Sequence, residues 1–177
     1  VLSTGVSTFQ QTSLSNVAAL EHIQTAVQSE AGRGYIDGRG RFVFQDRHTP
    51  YNTTTITATY DDASAVTTRL KYNALTLEYS DAAIWNEVRI QRTNGVVQVV
   101  ADTATSQARF FPRTLSRSGL VIDSDNEASA QAQFLLTNYK DPGTRITEIT
   151  LHPDTNEAGL YPQVLTRELG ARIVVRR

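Results

Sequence analysis

Residues 87–101 read EVRIQRTNGVVQVVA, two alternating runs of apolar and polar side chains that meet at Asn94-Gly95. Alternation with a period of two is typical of a half-buried strand. Asn-Gly is the dipeptide best suited to a type I′ turn, which joins two strands through two residues. The stretch therefore predicts a β-hairpin, around which the rest of the chain has to pack.

The turn also predicts which residues of the hairpin face each other. A two-residue turn pairs Thr93 with Val96, and counting back along both strands places Ile90 opposite Val99. Since side chains two positions apart share a face, we expect one buried sheet face. It should carry Val88, Ile90, Val97 and Val99.

A helix and a second hairpin are predicted before this stretch. Apolar residues recur at helical spacing from about Asn16 to Ala31, with Ser15 as the N-cap and Gly32 in the place of a C-cap glycine. Two aromatic runs then flank the turn formers of residues 37–40, which predicts a short hairpin.

Two more helices are predicted in the second half. Ser124 and Glu127 have the spacing of a capping box, in which each side chain satisfies the other's free amide, so a helix should begin there. Pro162 can occupy the first turn of a short helix that ends near Gly170. Further strands are expected at residues 56–60, 145–151 and 171–175.

These elements predict an α+β fold of mixed, mainly antiparallel sheets or small barrel-like lobes, with about three helices packed on them. Residues 1–14 are rich in Ser, Thr and Gln and indicate a linker or an edge strand. Residues 15–177 then form one domain or two small lobes in contact, which is the size that a single core supports.

Composition restricts the partners. The 17 basic and 18 acidic residues nearly cancel, so we expect no nucleic-acid partner. No run approaches the roughly 20 apolar residues that span a bilayer, and the start lacks the features of a signal peptide. Methionine is absent even at position 1, so we expect a piece of a longer protein, with more chain after Arg177.

No group of residues has the spacing of a reactive site. Cysteine is absent, and none of the three histidines has a zinc-motif partner. Two acidic pairs are better explained as turn and cap residues than as an acid and a base. The sequence thus nominates no catalytic, cofactor-binding or metal-binding residue, and we expect no enzyme. The residues weighed are His22, His48, His152, Asp61-Asp62 and Asp123 with Asp125.

Arginines and glycines gather between residues 32 and 47. The glycine spacing does not fit a phosphate-binding loop and is explained by backbone geometry at a helix end and a turn. A patch for an acidic partner stays open beside a solvated rim. Its members would be Arg33, Arg39, Arg41 and Arg47.

The order of these motifs resembles minor tail proteins of long-tailed bacteriophages, particularly phages of actinobacteria, which are related to the tail-hub or baseplate-hub family. The resemblance covers most of the chain from Leu14. Two departures are Phe110-Phe111-Pro112, where a Tyr-Gly pair is expected, and Ala171, where an acidic residue is frequent. The stretches that carry it are LSNVAALEHI (14–23), EAGRGYIDGRGRFVFQDRH (30–48), NEVRIQR (86–92), SRSGLVIDSDNEA (116–128) and LGARIVV (169–175).

The resemblance implies a structural protein of the virion tail, assembled in the host cytoplasm. It implies a closed homo-oligomeric ring, a trimer in our expectation, that contacts other tail proteins and has no catalytic residues. Two alternatives stay open. A carbohydrate- or receptor-binding module would stack tyrosines and Trp85 on sugar rings, and a tail-associated hydrolase would need a nucleophile beside a base in a polar cleft.

Overall fold

The computed structural model describes residues 2–12, 15–16, 18–62 and 69–177. Within those ranges the chain forms five α-helices, nine strands and one 3₁₀ turn at Pro153–Thr155. The helices are α1 Ala19–Glu30, α2 Thr49–Asn52, α3 Ser106–Phe110, α4 Asp125–Tyr139 and α5 Glu157–Thr166. The strands are β1 Arg33–Ile36, β2 Phe42–Gln45, β3 Ala58–Asp61, β4 Ala74–Ser80, β5 Glu87–Arg92, β6 Gln98–Ala101, β7 Thr114–Leu120, β8 Gly143–Thr150 and β9 Ile173–Arg176.

The predicted α+β class is confirmed. The sheets are small and mainly antiparallel, and the described residues form no closed barrel. β1 pairs with β2 and β5 with β6 in antiparallel fashion, whereas β5–β7 and β3–β9 are parallel. No helix in the described part of the chain is long and apolar enough to cross a membrane.

The chain divides into two compact units. Unit 1 comprises residues 1–36, 41–49 and 80–143, and unit 2 comprises residues 37–40, 50–79 and 144–177. In unit 1 the sheet order is β6-β5-β7, and α4 packs on it. The buried core is formed by Val88, Ile90, Leu120, Ile122, Ala128, Ala132, Leu135 and Leu136.

The predicted hairpin exists, but its predicted register is wrong by one residue. Ile90 lies opposite Gln98 rather than Val99. The Gly95 amide donates to the Arg92 carbonyl at 3.1 Å, and Asn94 takes the left-handed conformation with φ 59°, so the turn is centred on Thr93-Asn94. β5 and β6 pair one residue out of step with this turn, which indicates a one-residue bulge between Gly95 and β6.

A shift of one residue turns every side chain of a strand to the opposite face. Val88 and Ile90 are fully buried as predicted, whereas Val97 and Val99 are 43% and 55% exposed. The prediction that all four share a buried face is therefore wrong for the β6 side. Val100 packs against the core in their place.

The first helix is confirmed, although its predicted caps are wrong. Ala18 rather than Ser15 stands at the N-cap, without a side-chain hydrogen bond, and the predicted start includes Val17, which lies outside the described residues. Ala31, not Gly32, takes the left-handed conformation after the helix. Gly32 is needed because a Cβ there would lie 2.4 Å from the Gln45 carbonyl oxygen in β2.

The third predicted helix begins earlier than expected. The Asn156 side chain accepts a hydrogen bond from the Gly159 amide at 3.1 Å and caps α5, so Pro162 lies inside the helix instead of in its first turn. The helix ends at Thr166, and Gly170 lies beyond it with φ 83°. Pro162 has no amide hydrogen, so α5 lacks the backbone hydrogen bond that this position would otherwise donate.

Candidate functional site

The Asp46-Arg47-His48 stretch that ends the first hairpin has structural roles in unit 1. Asp46 accepts hydrogen bonds from the amides of His48 and Thr49, at 2.7 and 3.1 Å, and so begins α2. Burial raises the pKa of Asp46, but hydrogen bonds from Thr49, His48 and Ser3 outweigh it and hold that pKa below its usual value. The His48 ring packs edge-on against Phe134, with ring centroids 5.2 Å apart.

Arg47 is not part of a surface patch. Its side chain is buried, lies 4.0 Å from the equally buried Glu30 carboxylate, and faces the Phe134 ring at 6.0 Å. An arginine held in this way is not available to an acidic partner in solution. Of the four arginines for which an acidic-partner patch stayed open beside a solvated rim, Arg47 therefore belongs to neither.

Glu30 holds the N-terminal segment, defined here as residues 2–10. Its two carboxylate oxygens accept hydrogen bonds from the backbone amides of Val6 and Ser7, at 3.0 and 2.8 Å. The carboxylate is fully buried, so these charge-assisted bonds offset a desolvation cost of several kcal/mol. Hydrophobic periodicity could not reveal this contact, because it joins residues 24 positions apart in the sequence.

The capping box is confirmed in one half only. The Ser124 hydroxyl accepts from the Glu127 amide at 3.2 Å, as predicted. The Glu127 carboxylate does not return to Ser124 but accepts from the Thr8 amide at 2.8 Å. Glu127 thus adds a third carboxylate–amide contact to the N-terminal segment.

Asn86 organises the end of the sheet where β5 begins. It is fully buried, donates to the Phe111 carbonyl at 2.8 Å and accepts from the Arg113 amide at 2.7 Å. It also donates to the Ser106 hydroxyl at 3.3 Å, and that hydroxyl donates to the Lys140 carbonyl. The asparagine therefore ties β5 to α3, to the start of β7 and to the end of α4.

Phe111 lies in the Phe110-Phe111-Pro112 stretch, where the sequence resemblance led us to expect a Tyr-Gly pair. Its backbone has φ 60° and ψ 165°, a region that non-glycine residues rarely adopt. The ring is 80% exposed, so no burial of the side chain compensates for the strain. Hydrogen bonds from Asn86 to the Phe111 carbonyl and from the Phe111 amide to Gln107 hold the conformation.

An open cavity of about 300 Å³ lies between the end of β6 and α4. Asp102 and Lys140 line it and form an ion pair at 2.8 Å. The hydrogen bond from Lys140, with those from the Thr105 and Ser106 amides, lowers the pKa of Asp102 to about 2, and Asp102 in turn raises the pKa of Lys140. These contacts fix the start of α3, which is a structural role.

Unit 2 contains an exposed two-stranded ribbon, β4–β8. The Asn73 amide donates to the Thr150 carbonyl at 2.8 Å and the Thr147 hydroxyl to the Thr76 carbonyl at 3.3 Å, so the strands run antiparallel. Leu77 then lies opposite Ile146, on the face that also carries Leu75 and Tyr79. The exposed fractions of Leu77, Ile146 and Tyr79 are 45%, 47% and 70%.

Two of the acidic residues weighed in the sequence form ion pairs in the structure. Asp61 pairs with Arg69 at 2.6 Å, and Asp125 pairs with Arg92 at 2.7 Å. Among the described residues, no three His, Asp or Glu side chains are placed to hold a metal ion.

No protein-family model and no curated protein matches the chain. A solved structure is similar in part. It is the crystal structure of the tail protein from Neisseria meningitidis MC58, with a TM-score of 0.45 and 13% sequence identity, and the similarity covers 75% of this chain and 37% of that one. The chain thus spans little more than a third of the length of that protein.

Proposed function

We propose that the chain is a structural component of a bacteriophage tail tip, of the minor tail protein or hub type, and that it acts by protein–protein assembly rather than by catalysis. Its partners would be further copies of itself in a closed ring, with three copies expected, and other proteins of the virion tail. The sequence resemblance supplies the class of protein.

The observation that carries the assembly role is the β4–β8 ribbon. A two-stranded sheet is marginal in water unless another element covers it. The ribbon nevertheless exposes Leu77, Tyr79 and Ile146 on one face. A neighbouring subunit that covers this face would remove the exposed apolar area of these three side chains from water, which stabilises the contact by roughly 25 cal/mol for each Å² buried. The ribbon is therefore the proposed contact between subunits.

A pair of matched variants tests this role in the complete protein. Leu77→Glu places a charge on the apolar face, and Thr76→Glu places the same charge on the opposite, polar face of the same strand. Both positions are exposed, so both variants should fold and melt like the wild type. We expect Leu77→Glu to lose assembly in light scattering and Thr76→Glu to retain it.

Equal assembly of the two variants would contradict the proposed contact. The receptor-binding alternative predicts a different result, since the isolated chain would then bind glycans without any tail partner. A glycan array probed with the wild-type chain separates the two functions.

A further inference from the structure

The N-terminal segment lies in a groove that recognises main chain rather than side chains. Glu30 and Glu127 accept hydrogen bonds from three successive amides, those of Val6, Ser7 and Thr8. The Gln10 amide donates to the Val121 carbonyl at 3.0 Å and the Asp123 amide to the Thr8 carbonyl at 2.9 Å. This is the pattern by which an extended peptide adds to the end of a strand.

The other end of the segment is held in the same way. Leu2 forms a parallel bridge with Phe44, the Ser3 amide donates to the Phe44 carbonyl at 3.1 Å, and the Ser3 hydroxyl accepts from the Asp46 amide at 2.8 Å. The apolar side chains of the segment are only partly buried. Leu2, Val6 and Phe9 are 71%, 48% and 41% exposed.

An extended segment in the groove stabilises the folded unit. With the segment in place Glu30 is fully buried and its carboxylate holds two backbone amides, and without the segment water would replace these two donors. The contacts are the same whether that segment comes from the same chain or from an identical one.

We propose that the groove is a strand-exchange site, and that in the assembled protein the N-terminal segment of one copy occupies the groove of its neighbour. The proposal rests on the homo-oligomer of the proposed function. Exchange of identical segments replaces every contact by its equivalent, so only the entropy of association opposes it. In a ring, the neighbour's groove is presented at an effective concentration in the millimolar range, which reduces the entropy cost of association.

The absence of cysteine from the chain permits a direct test. Thr8 and Asp123 are exposed and joined by a backbone hydrogen bond, so cysteines introduced there report whether the segment occupies the groove. The variants Thr8→Cys and Asp123→Cys are prepared separately in the chain, mixed, and treated with a short bis-maleimide. A segment held by another copy keeps the two cysteines within reach of the linker, so its cross-link between the two variants should persist on dilution, whereas a cross-link from chance collisions should not.

We expect covalent dimers in the mixture and none in either variant alone. Adding Glu30→Gln to both partners should lower the dimer yield about tenfold, because the amide nitrogen of glutamine cannot accept the bond that one carboxylate oxygen accepts. The matched control is Glu21→Gln, which changes an exposed glutamate on the same helix and should leave the yield unchanged.

A double variant, Thr8→Cys/Asp123→Cys, reports a segment held by its own chain. If this variant cross-links within single chains at every concentration and the mixed single variants give no dimers, strand exchange is overturned. A ring that shows this result would retain the tail-assembly role and lose only the exchange. A chain that is absent from virion tails would remove the proposed function itself, whatever the cross-links show.

Discussion

Replacing Asn86 by alanine should destabilise unit 1 strongly, because one side chain satisfies several buried groups. The substitution leaves the Phe111 carbonyl and the Arg113 amide without partners, and removes the bond to Ser106. Each buried polar group left unsatisfied costs about 1–3 kcal/mol. Since the first two contacts are partly buried, we expect a total loss of about 3 kcal/mol, a large fraction of the roughly 5–15 kcal/mol that stabilises a domain.

The single tryptophan provides the assay. Trp85 precedes Asn86, and its amide donates to the Tyr139 carbonyl at 2.8 Å, so its fluorescence reports on this part of unit 1. Urea unfolding of the Asn86→Ala variant should give the expected loss of free energy. The melting temperature should fall by about 6–12 °C, at roughly 2–4 °C for each kcal/mol in a chain of this size.

The matched control is Asn138→Ala. Asn138 is exposed on α4 and donates only to the Phe134 carbonyl one turn earlier, at 2.7 Å. Its loss should cost less than about 0.5 kcal/mol. Equal effects of the two variants would refute the structural role of Asn86 and require another reason for a buried asparagine at that position.

Three further predictions concern the register of the β5–β6 hairpin, the strained backbone of Phe111 and the stability of the protein at low pH. Ile90→Asp should unfold or aggregate the chain, because it buries a charge in the core. Val99→Asp on the exposed face should lower the melting temperature by no more than about 4 °C, and an equally damaging Val99→Asp would restore the register predicted from the sequence. Phe111→Gly should raise the free energy of unfolding by about 1 kcal/mol, because relief of about 1–3 kcal/mol of strain exceeds the entropy cost of glycine, while Phe111→Ala should give no gain. Because the pKa of Asp102 is lowered, its ionised form stabilises the folded protein fully above pH 3.8, the usual pKa, and this stabilisation is lost as the pH falls towards 2. The difference in free energy of unfolding between wild type and Asp102→Asn should therefore shrink over that interval in acid titrations.

Local rules were sufficient wherever an element depends on neighbouring residues. The cap at Ser124 and the hairpin around residues 37–40 were both predicted from sequence, because their hydrogen bonds join residues close in the chain. The register of the β5–β6 hairpin failed because a turn centred one residue earlier adds a bulge that the Asn-Gly rule does not include. Both outcomes follow from geometry within a few residues.

The candidate site was harder to predict because it is made of distant pairs. Glu30 is an ordinary polar residue at a helix end until the N-terminal segment brings its amides within 3.0 Å. Arg47 likewise belongs to a basic stretch in the sequence and to a buried pair in the structure. The positive φ of Phe111 falls in the stretch Phe110-Phe111-Pro112, where the sequence resemblance led us to expect a Tyr-Gly pair.

The most direct test of the assembly role is an electron-microscopy reconstruction of intact virion tails that contain the complete protein. We expect a closed ring at the distal end of the tail, into which copies of this chain fit, with the apolar face of Leu77 and Ile146 covered by a neighbouring subunit. Tails that lack the chain, or a ring in which that face remains open to solvent, would contradict it.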